Sequence, residues 1–204
     1  MKLRGFYFIT DRKLSTKNDL DAVSEAISGG AALVQYREKD LTTKEMMEKA
    51  KEIRVITGGR ALLIINDRVD IALAVGADGV HLGIDDMSIE DARALLGRKK
   101  IIGATVHDVE EAVDAEAQGA DYVGVSPIFA TTTKKDAGVP SGPELIKEIK
   151  ESVDIPVAAI GGISEKNVDS VIEAGADMVC AISATVTKKD IKSAVKYFVE
   201  KFGK

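Results

Sequence analysis

The chain of 204 residues has one cysteine, no tryptophan and only 4% aromatic residues. A single cysteine excludes a disulfide within the chain. Cys180 lies inside the apolar run Met178 to Ile182, which reads as a strand holding a small buried thiol and not as a nucleophile's surroundings. With so few aromatic rings there is no platform on which bases could stack. Lys plus Arg number 28 against 33 Asp plus Glu, and the net charge of -5 argues against a nucleic-acid surface. No apolar run approaches the roughly 20 residues of a membrane-spanning helix. The start of the chain passes through the short run Phe6 to Ile9 into Asp11, Arg12 and Lys13, too brief for a signal peptide. A cytoplasmic protein with no membrane or nucleic-acid partner is expected.

What is present is a repeated alternation. Apolar strand candidates occur at Phe6 to Thr10, Ala32 to Gln35, Ala61 to Ile65, Gly79 to Leu82, Ile101 to Gly103, Tyr122 to Val125, Val157 to Ile160 and Met178 to Ala181. Segments of helical period fill the gaps, among them Leu20/Val23/Ile27, Met46/Ala50/Ile53 and Val168/Val171/Ile172. Thr42 with Glu45 and Ser88 with Asp91 are helix-start signals. A quasi-repeat runs through the chain: Val75-Gly-Ala-Asp-Gly-Val80, Gln118-Gly-Ala-Asp-Tyr-Val123 and Ala174-Gly-Ala-Asp-Met-Val179, with a weaker copy at Ser28 to Val34. Each copy is a helix end, a glycine stop and the entrance to a strand.

Eight βα units of about 25 residues each fit the α/β class and a single-domain (β/α)8 TIM barrel over 1–204, near the lower end of that fold's size range. The rival, an open doubly wound sheet, would carry a glycine-rich loop after its first strand, where this chain has Thr10-Asp11-Arg12-Lys13. In a barrel the chemistry collects where strands end and helices begin. That rule assigns Asp78, Asp121 and Asp177, which precede their strands, to turns on the opposite rim.

The stretch 61–86 holds a whole βαβ unit, and both of its strands leave the sheet through carboxylates: Asn66-Asp67 after the first, Asp85-Asp86 after the second. Parallel neighbours joined by so short a crossover set Asp67 and Asp86 facing one another. Close ionised carboxylates repel unless a cation or a shared proton intervenes, so a divalent metal is one reading. The other is that Asp67 caps the next helix and Asp85-Asp86 forms a polar turn, and Asp85 competes with Asp86 as the second ligand.

After the second strand, Gln35, Arg37 and Lys39 alternate and so point one way, offering a fork and a point charge to phosphate oxygens. Thr105 follows the fifth strand and could give a hydroxyl. His107 reads as a helix start, and His81, inside a strand, as a hydrogen-bonded core residue. The connection from Ser126 to Ser141 is the longest aperiodic one, and its three threonines, two lysines and glycine suit a lid over an anion. Gly161-Gly162 after strand seven and the loop Ala181 to Thr185 after strand eight stand where barrels of this kind bind phosphate.

Taken in order, Tyr7 to Asp11, Gln35 to Lys39, Ile65 to Asp67, Gly79 to Gly83 with Asp86, Pro127 to Phe129 with Thr131 to Asp136, and Ile160 to Ile163 resemble the thiamine phosphate synthase family. The resemblance spans nearly the whole chain. It implies that hydroxymethylpyrimidine diphosphate is joined to hydroxyethylthiazole phosphate, giving thiamine phosphate and diphosphate. It implies that Gln35, Arg37, Lys39 and Asn66 hold the pyrimidine diphosphate, that Asp67 and Asp86 bind Mg2+, and that Thr105 replaces the family's usual serine near the diphosphate. Thr131, Thr133 and Lys134 would lie over the substrates, and Gly162, Ile182 and Ser183 would take the thiazole phosphate.

On this reading Arg37, Lys39 and Lys134 are the catalytic cations. The aminopyrimidine can carry positive charge at its methylene carbon while diphosphate leaves, so no Ser-His or Cys-His pair is needed. Ile84, Ser126 and Ala130 depart from the family's common residues. The alternatives are a thiazole tautomerase-like paralogue, a sugar-phosphate isomerase or epimerase, and a non-catalytic phosphate-binding barrel. The oligomeric state is left open, a homo-oligomer included.

Overall fold

A computed structural model describes residues 3–133 and 138–202. The eight strands are β1 (Gly5–Ile9), β2 (Leu33–Tyr36), β3 (Leu62–Asn66), β4 (Gly79–Leu82), β5 (Ile101–Val106), β6 (Tyr122–Val125), β7 (Val157–Ile160) and β8 (Met178–Cys180). All pair in parallel, each with the next and β8 with β1, and the sheet closes into a barrel. The helices are α1 (Asp19–Ser28), α2 (Thr43–Thr57), α3 (Val69–Val75), α4 (Ile89–Leu96), α5 (Val109–Ala117), α6 (Glu144–Ser152), α7 (Val168–Glu173), α8 (Ile182–Val186) and α9 (Ile191–Lys201).

Strands covered on both faces are apolar throughout, because one set of side chains fills the barrel and the other meets the helices. Tyr7, Leu33, Ile64, Tyr122, Ala158 and Met178 form the inner cluster. Phe6, Val34, Leu63, Ile65, Val80, Val123 and Val179 belong to the larger layer between sheet and helices. There the Phe6 and Phe198 rings stack at 5.2 Å, fastening α9 across β1. Cys180 is buried in β8, and burial pushes its thiol well above the ordinary value.

Helix ends follow local chemistry. Thr42 and Glu45 make a reciprocal capping box on α2, Asn18 accepts from Asp21 N–H at the start of α1, and Gly76 closes α3 in a left-handed conformation.

The Gly-Ala-Asp repeat has a structural purpose on the amino-terminal rim. Asp78 accepts from Leu63 N–H at 2.8 Å and from Arg54 of α2 at 2.7 Å. Asp121 accepts from Ile102 N–H at 2.8 Å and from Arg93 of α4 at 2.6 Å. Asp177 accepts from Val157 N–H at 2.9 Å and from Lys150 of α6 at 2.9 Å. Each carboxylate ties together a helix, the strand that follows it, and the next strand along.

Two expectations need correction. Strand five does not stop at Gly103: it continues to Val106, because Thr105 and Val106 pair with Gly124 and Val125 of β6, so Thr105 lies within β5. After β8 the chain does not run on as a loop: Ile182–Val186 is the short helix α8, held by its buried Ala184, Thr185 and Val186 and by Thr185 Oγ1 donating to Ala181 O at 2.8 Å.

Replacing Asp78 with alanine leaves Arg54 and the Leu63 N–H without their acceptor. The expected cost is about 2 kcal/mol, the scale of hydrogen bonds to charged groups. It should appear as a lower Tm with kcat unchanged, since the residue sits on the rim away from the cavity.

Candidate active site

The chain alternation at the end of β2 sorts five consecutive residues. Gln35, Arg37 and Lys39 line the cavity at the carboxyl-terminal rim, while Tyr36 and Glu38 turn outward. Two contacts pin this segment. Thr10 Oγ1 accepts from Arg37 N–H at 2.9 Å, and Asp11 faces the Arg37 guanidinium at 3.8 Å. Glu38 is buried and accepts from Arg12 Nε at 2.8 Å, Lys39 N–H at 2.8 Å and Asp40 N–H at 2.7 Å. Burial alone would push the Glu38 carboxyl up, but these donors hold it below its ordinary value. The outward residue is thus an anchor that aims the inward cations.

At the end of β3 the backbone is unusual. Asp67 has φ of 61°, a conformation that side chains other than glycine rarely adopt and that costs on the order of 1–3 kcal/mol. Asp67 N–H donates to His81 O on β4 at 2.8 Å, which carries the β3–β4 ladder one residue past the strand. The carboxylate is thereby directed into the rim, where Lys39 Nζ donates to it at 2.5 Å.

Asp86 comes to the same place from the β4 side. Its carboxylate accepts from Gly83 N–H at 2.7 Å. Burial and the hydrogen-bonded Asp67 carboxylate push the Asp86 carboxyl above its ordinary value. Asp85 is exposed, so it is Asp86 that meets Asp67. Asn66 Nδ2, beside them, is buried without an acceptor among the described residues. Two facing carboxyl groups, of which Asp86 is pushed toward its protonated form, next to an unspent donor, fit a divalent cation carrying an anion. Among the described residues no third carboxylate, histidine or cysteine joins the pair. Two carboxylates plus substrate oxygens and water is the donor set that Mg2+ takes.

On the opposite side, Gly161 and Gly162 both have positive φ, and at Gly162 a Cβ would stand 2.5 Å from Ala130 O. Ile128 N–H and Phe129 N–H donate to Ile160 O and Gly161 O, so the connection after β6 lies along the end of β7. This brings Thr131 and Thr133 to the cavity together with Ile182 and Ser183 of the first turn of α8. First-turn amides have no intrahelical acceptor and suit an anion.

Every residue expected at the site lines this one cavity of about 220 Å³, except Lys134, which lies outside the described residues. The wall therefore holds Gln35, Arg37, Lys39, Asn66, Asp67, Asp86, Thr105, Thr131, Thr133, Gly162, Ile182 and Ser183. His81 also reaches it, although its two ring nitrogens bond Tyr122 and Thr105 as expected of a core histidine. Sequence reasoning missed the apolar floor of Ile9, Ile160 and Cys180. The available signal was that each ends a strand and so reaches the rim. His107 stands at the start of α5, with Asp108 as the cap.

Anion-holding groups on two sides of one cavity put the chain among the (β/α)8-barrel enzymes that act on phosphorylated small molecules. A family model described as thiamine monophosphate synthase matches residues 6–185. The chain belongs to the thiamine monophosphate synthase family.

A thiamine-phosphate synthase of Methanosarcina barkeri is 56% identical over 200 residues, 98% of this chain and 91% of the relative. That of Methanosarcina mazei is 53% identical over 195 residues, 96% of this chain and 81% of the relative. Among solved structures, thiamine phosphate pyrophosphorylase from Pyrococcus furiosus superposes with a TM-score of 0.91 at 43% identity, covering 98% of this chain and 96% of that one.

The strained Asp67 yields a direct test. Glycine and alanine at this position both remove the carboxylate and its Lys39 contact, but only glycine relieves the left-handed strain, so Asp67→Gly should be more stable than Asp67→Ala by about 1 kcal/mol. Denaturant unfolding of the two variants measures this, and equal stability would contradict the strain.

Proposed function

We propose that this chain joins hydroxymethylpyrimidine diphosphate to hydroxyethylthiazole phosphate, releasing diphosphate and forming thiamine phosphate. The observation that carries the proposal is the division of the cavity. Its acid pair and cations suit a diphosphate, its Gly161-Gly162 and α8 side suits a monophosphate, and a path between them is floored by apolar side chains. The names of relatives up to 56% identical support the same reaction. A tautomerase has no diphosphate to eliminate and so no use for Lys39, Asn66, Asp67 and Asp86 together, and a purely binding barrel would bind phosphate without turnover.

The residues have separable tasks. Gln35 and Asn66 orient the pyrimidine end, with the unspent Asn66 Nδ2 donating to a substrate acceptor. Arg37 and Lys39 meet the diphosphate as negative charge builds on it, and Lys134 adds to them. Asp67 and Asp86 would hold Mg2+, which when bound supplies positive charge to the diphosphate oxygens. Thr131 and Thr133 lie where a closing loop would exclude water from the cationic pyrimidine carbon. Gly162, Ile182 and Ser183 fix the thiazole phosphate so that the ring nitrogen is in line with that carbon.

The carbon–oxygen bond to diphosphate breaks, its electron pair leaves with the diphosphate, and the thiazole nitrogen's lone pair forms the new carbon–nitrogen bond. No general base is required. Both substrates are soluble phosphate esters, which agrees with a cytoplasmic site of action. No helix among the described residues is long and apolar enough to cross a membrane.

Purified protein mixed with both substrates and Mg2+ should release diphosphate in step with thiamine phosphate, and a chelator should stop both. Lys39→Ala should lower kcat/KM by about a hundredfold, the scale for losing one charged contact to a transition state. Binding of thiazole phosphate without coupling by folded protein would instead support the tautomerase-like or binding-barrel reading.

A further inference from the structure

The barrel interior contains a polar chain whose inner members, Tyr7, Tyr122 and His81, the reaction as described does not use. Gln35 Nε2 donates to Tyr7 Oη at 2.8 Å. The Tyr7 and Tyr122 hydroxyls are 2.8 Å apart, Tyr122 Oη is 3.0 Å from His81 Nδ1, and His81 Nε2 is 3.0 Å from Thr105 Oγ1. Both tyrosines are wholly buried, and both ends of the chain, Gln35 and Thr105, line the cavity.

The sequence makes room for this chain. A Cβ at Gly103 would stand 2.0 Å from Tyr122 Cζ, and one at Gly124 would stand 2.9 Å from His81 Cε1. Glycines on two adjacent strands seat the rings of Tyr122 and His81, which stack with centroids 5.6 Å apart. Apolar side chains would fill the same space without the need to satisfy each polar atom.

Hydrogen counting gives the chain a direction. An amide nitrogen only donates, so Tyr7 accepts from Gln35 and its single hydroxyl hydrogen goes to Tyr122. Tyr122 then spends its hydrogen on His81 Nδ1. A ring that accepts at Nδ1 carries its proton on Nε2, which donates to Thr105 Oγ1. Thr105 has one lone pair engaged, and its own hydrogen is turned away from His81.

We propose that Tyr7, Tyr122 and His81 are positioning residues that fix the Thr105 hydroxyl as a hydrogen-bond donor to the cavity, aimed at an oxygen of the leaving diphosphate. This rests on the proposed reaction. The reverse direction, with the amide oxygen of Gln35 accepting from Tyr7, would make Thr105 donate to His81 and leave no hydroxyl hydrogen for the substrate. Burial raises both phenols far above their ordinary value, so neither gives up the hydrogen on which the direction depends.

The test reads the tautomer of His81 in the free protein. The chain has 2 histidines, and His107→Gln removes the other. Long-range 1H–15N spectra of histidine-labelled protein should show a pyrrole-type Nε2 and a pyridine-type Nδ1. A proton on Nδ1, or an even mixture, would overturn the direction. Tyr7→Phe breaks the chain beside Gln35. It should convert the His81 signal to a mixture and lower kcat between about tenfold and a hundredfold, with KM for thiazole phosphate unchanged. If Tyr7→Phe is folded but keeps both the tautomer and kcat, Tyr7 is not a positioning residue and the proposal fails. An Nε2 proton in wild-type protein that makes no thiamine phosphate would support the hydrogen direction and overturn the assigned reaction instead.

Discussion

Two carboxylates brought together at the end of one βαβ unit set the terms for the rest of this molecule. Burial and the neighbouring Asp67 push the Asp86 carboxyl above its ordinary value, so the two groups would separate if the backbone were free. They do not separate because β3 and β4 are adjacent strands of a closed sheet, and because the pairing runs on through Asp67 N–H to His81 O. The positive φ at Asp67 is the local cost of that placement. The barrel absorbs it: a closed parallel sheet with two buried faces has enough stability to hold a few strained and repelling groups at its rim.

The surrounding charges follow the same logic of an anchored outer residue aiming an inner one. Lys39 reaches Asp67, Arg37 sits over Asp11, and Glu38 is fixed by three donors so that its neighbours point into the cavity. Carboxylates on the other rim have a different purpose. Asp78, Asp121 and Asp177 each bind a strand N–H and a helix cation, and this stapling recurs along the chain as the Gly-Ala-Asp repeat. The same residue type is structural at one end of the strands and directed into the cavity at the other.

Much of this was legible in the sequence because it is local. Strands covered on both faces read as short apolar runs, and β4, β6 and β7 begin and end where those runs do. Alternation showed that Gln35, Arg37 and Lys39 share a side. Other features depend on distant parts of the chain. The end of β5 was hidden because polar Thr105 interrupts the apolar run, and only pairing with β6 keeps it in the strand. The helix α8 was hidden because five residues with β-branched Ile182, Thr185 and Val186 carry no helical pattern, and burial holds them. The strain at Asp67 and the Tyr7–Tyr122 hydrogen bond, which joins residues 115 apart, leave no mark in local composition.

The measurement that bears most directly on the acid pair is calorimetric titration of Mg2+ into the protein in the presence of inorganic diphosphate, for wild type, Asp67→Asn and Asp86→Asn. The account predicts diphosphate-dependent Mg2+ binding by the wild type and its loss in both variants, each of which should remain folded. Unchanged Mg2+ affinity in the two variants would contradict it, since the facing carboxylates would then have no part in holding the metal and the diphosphate.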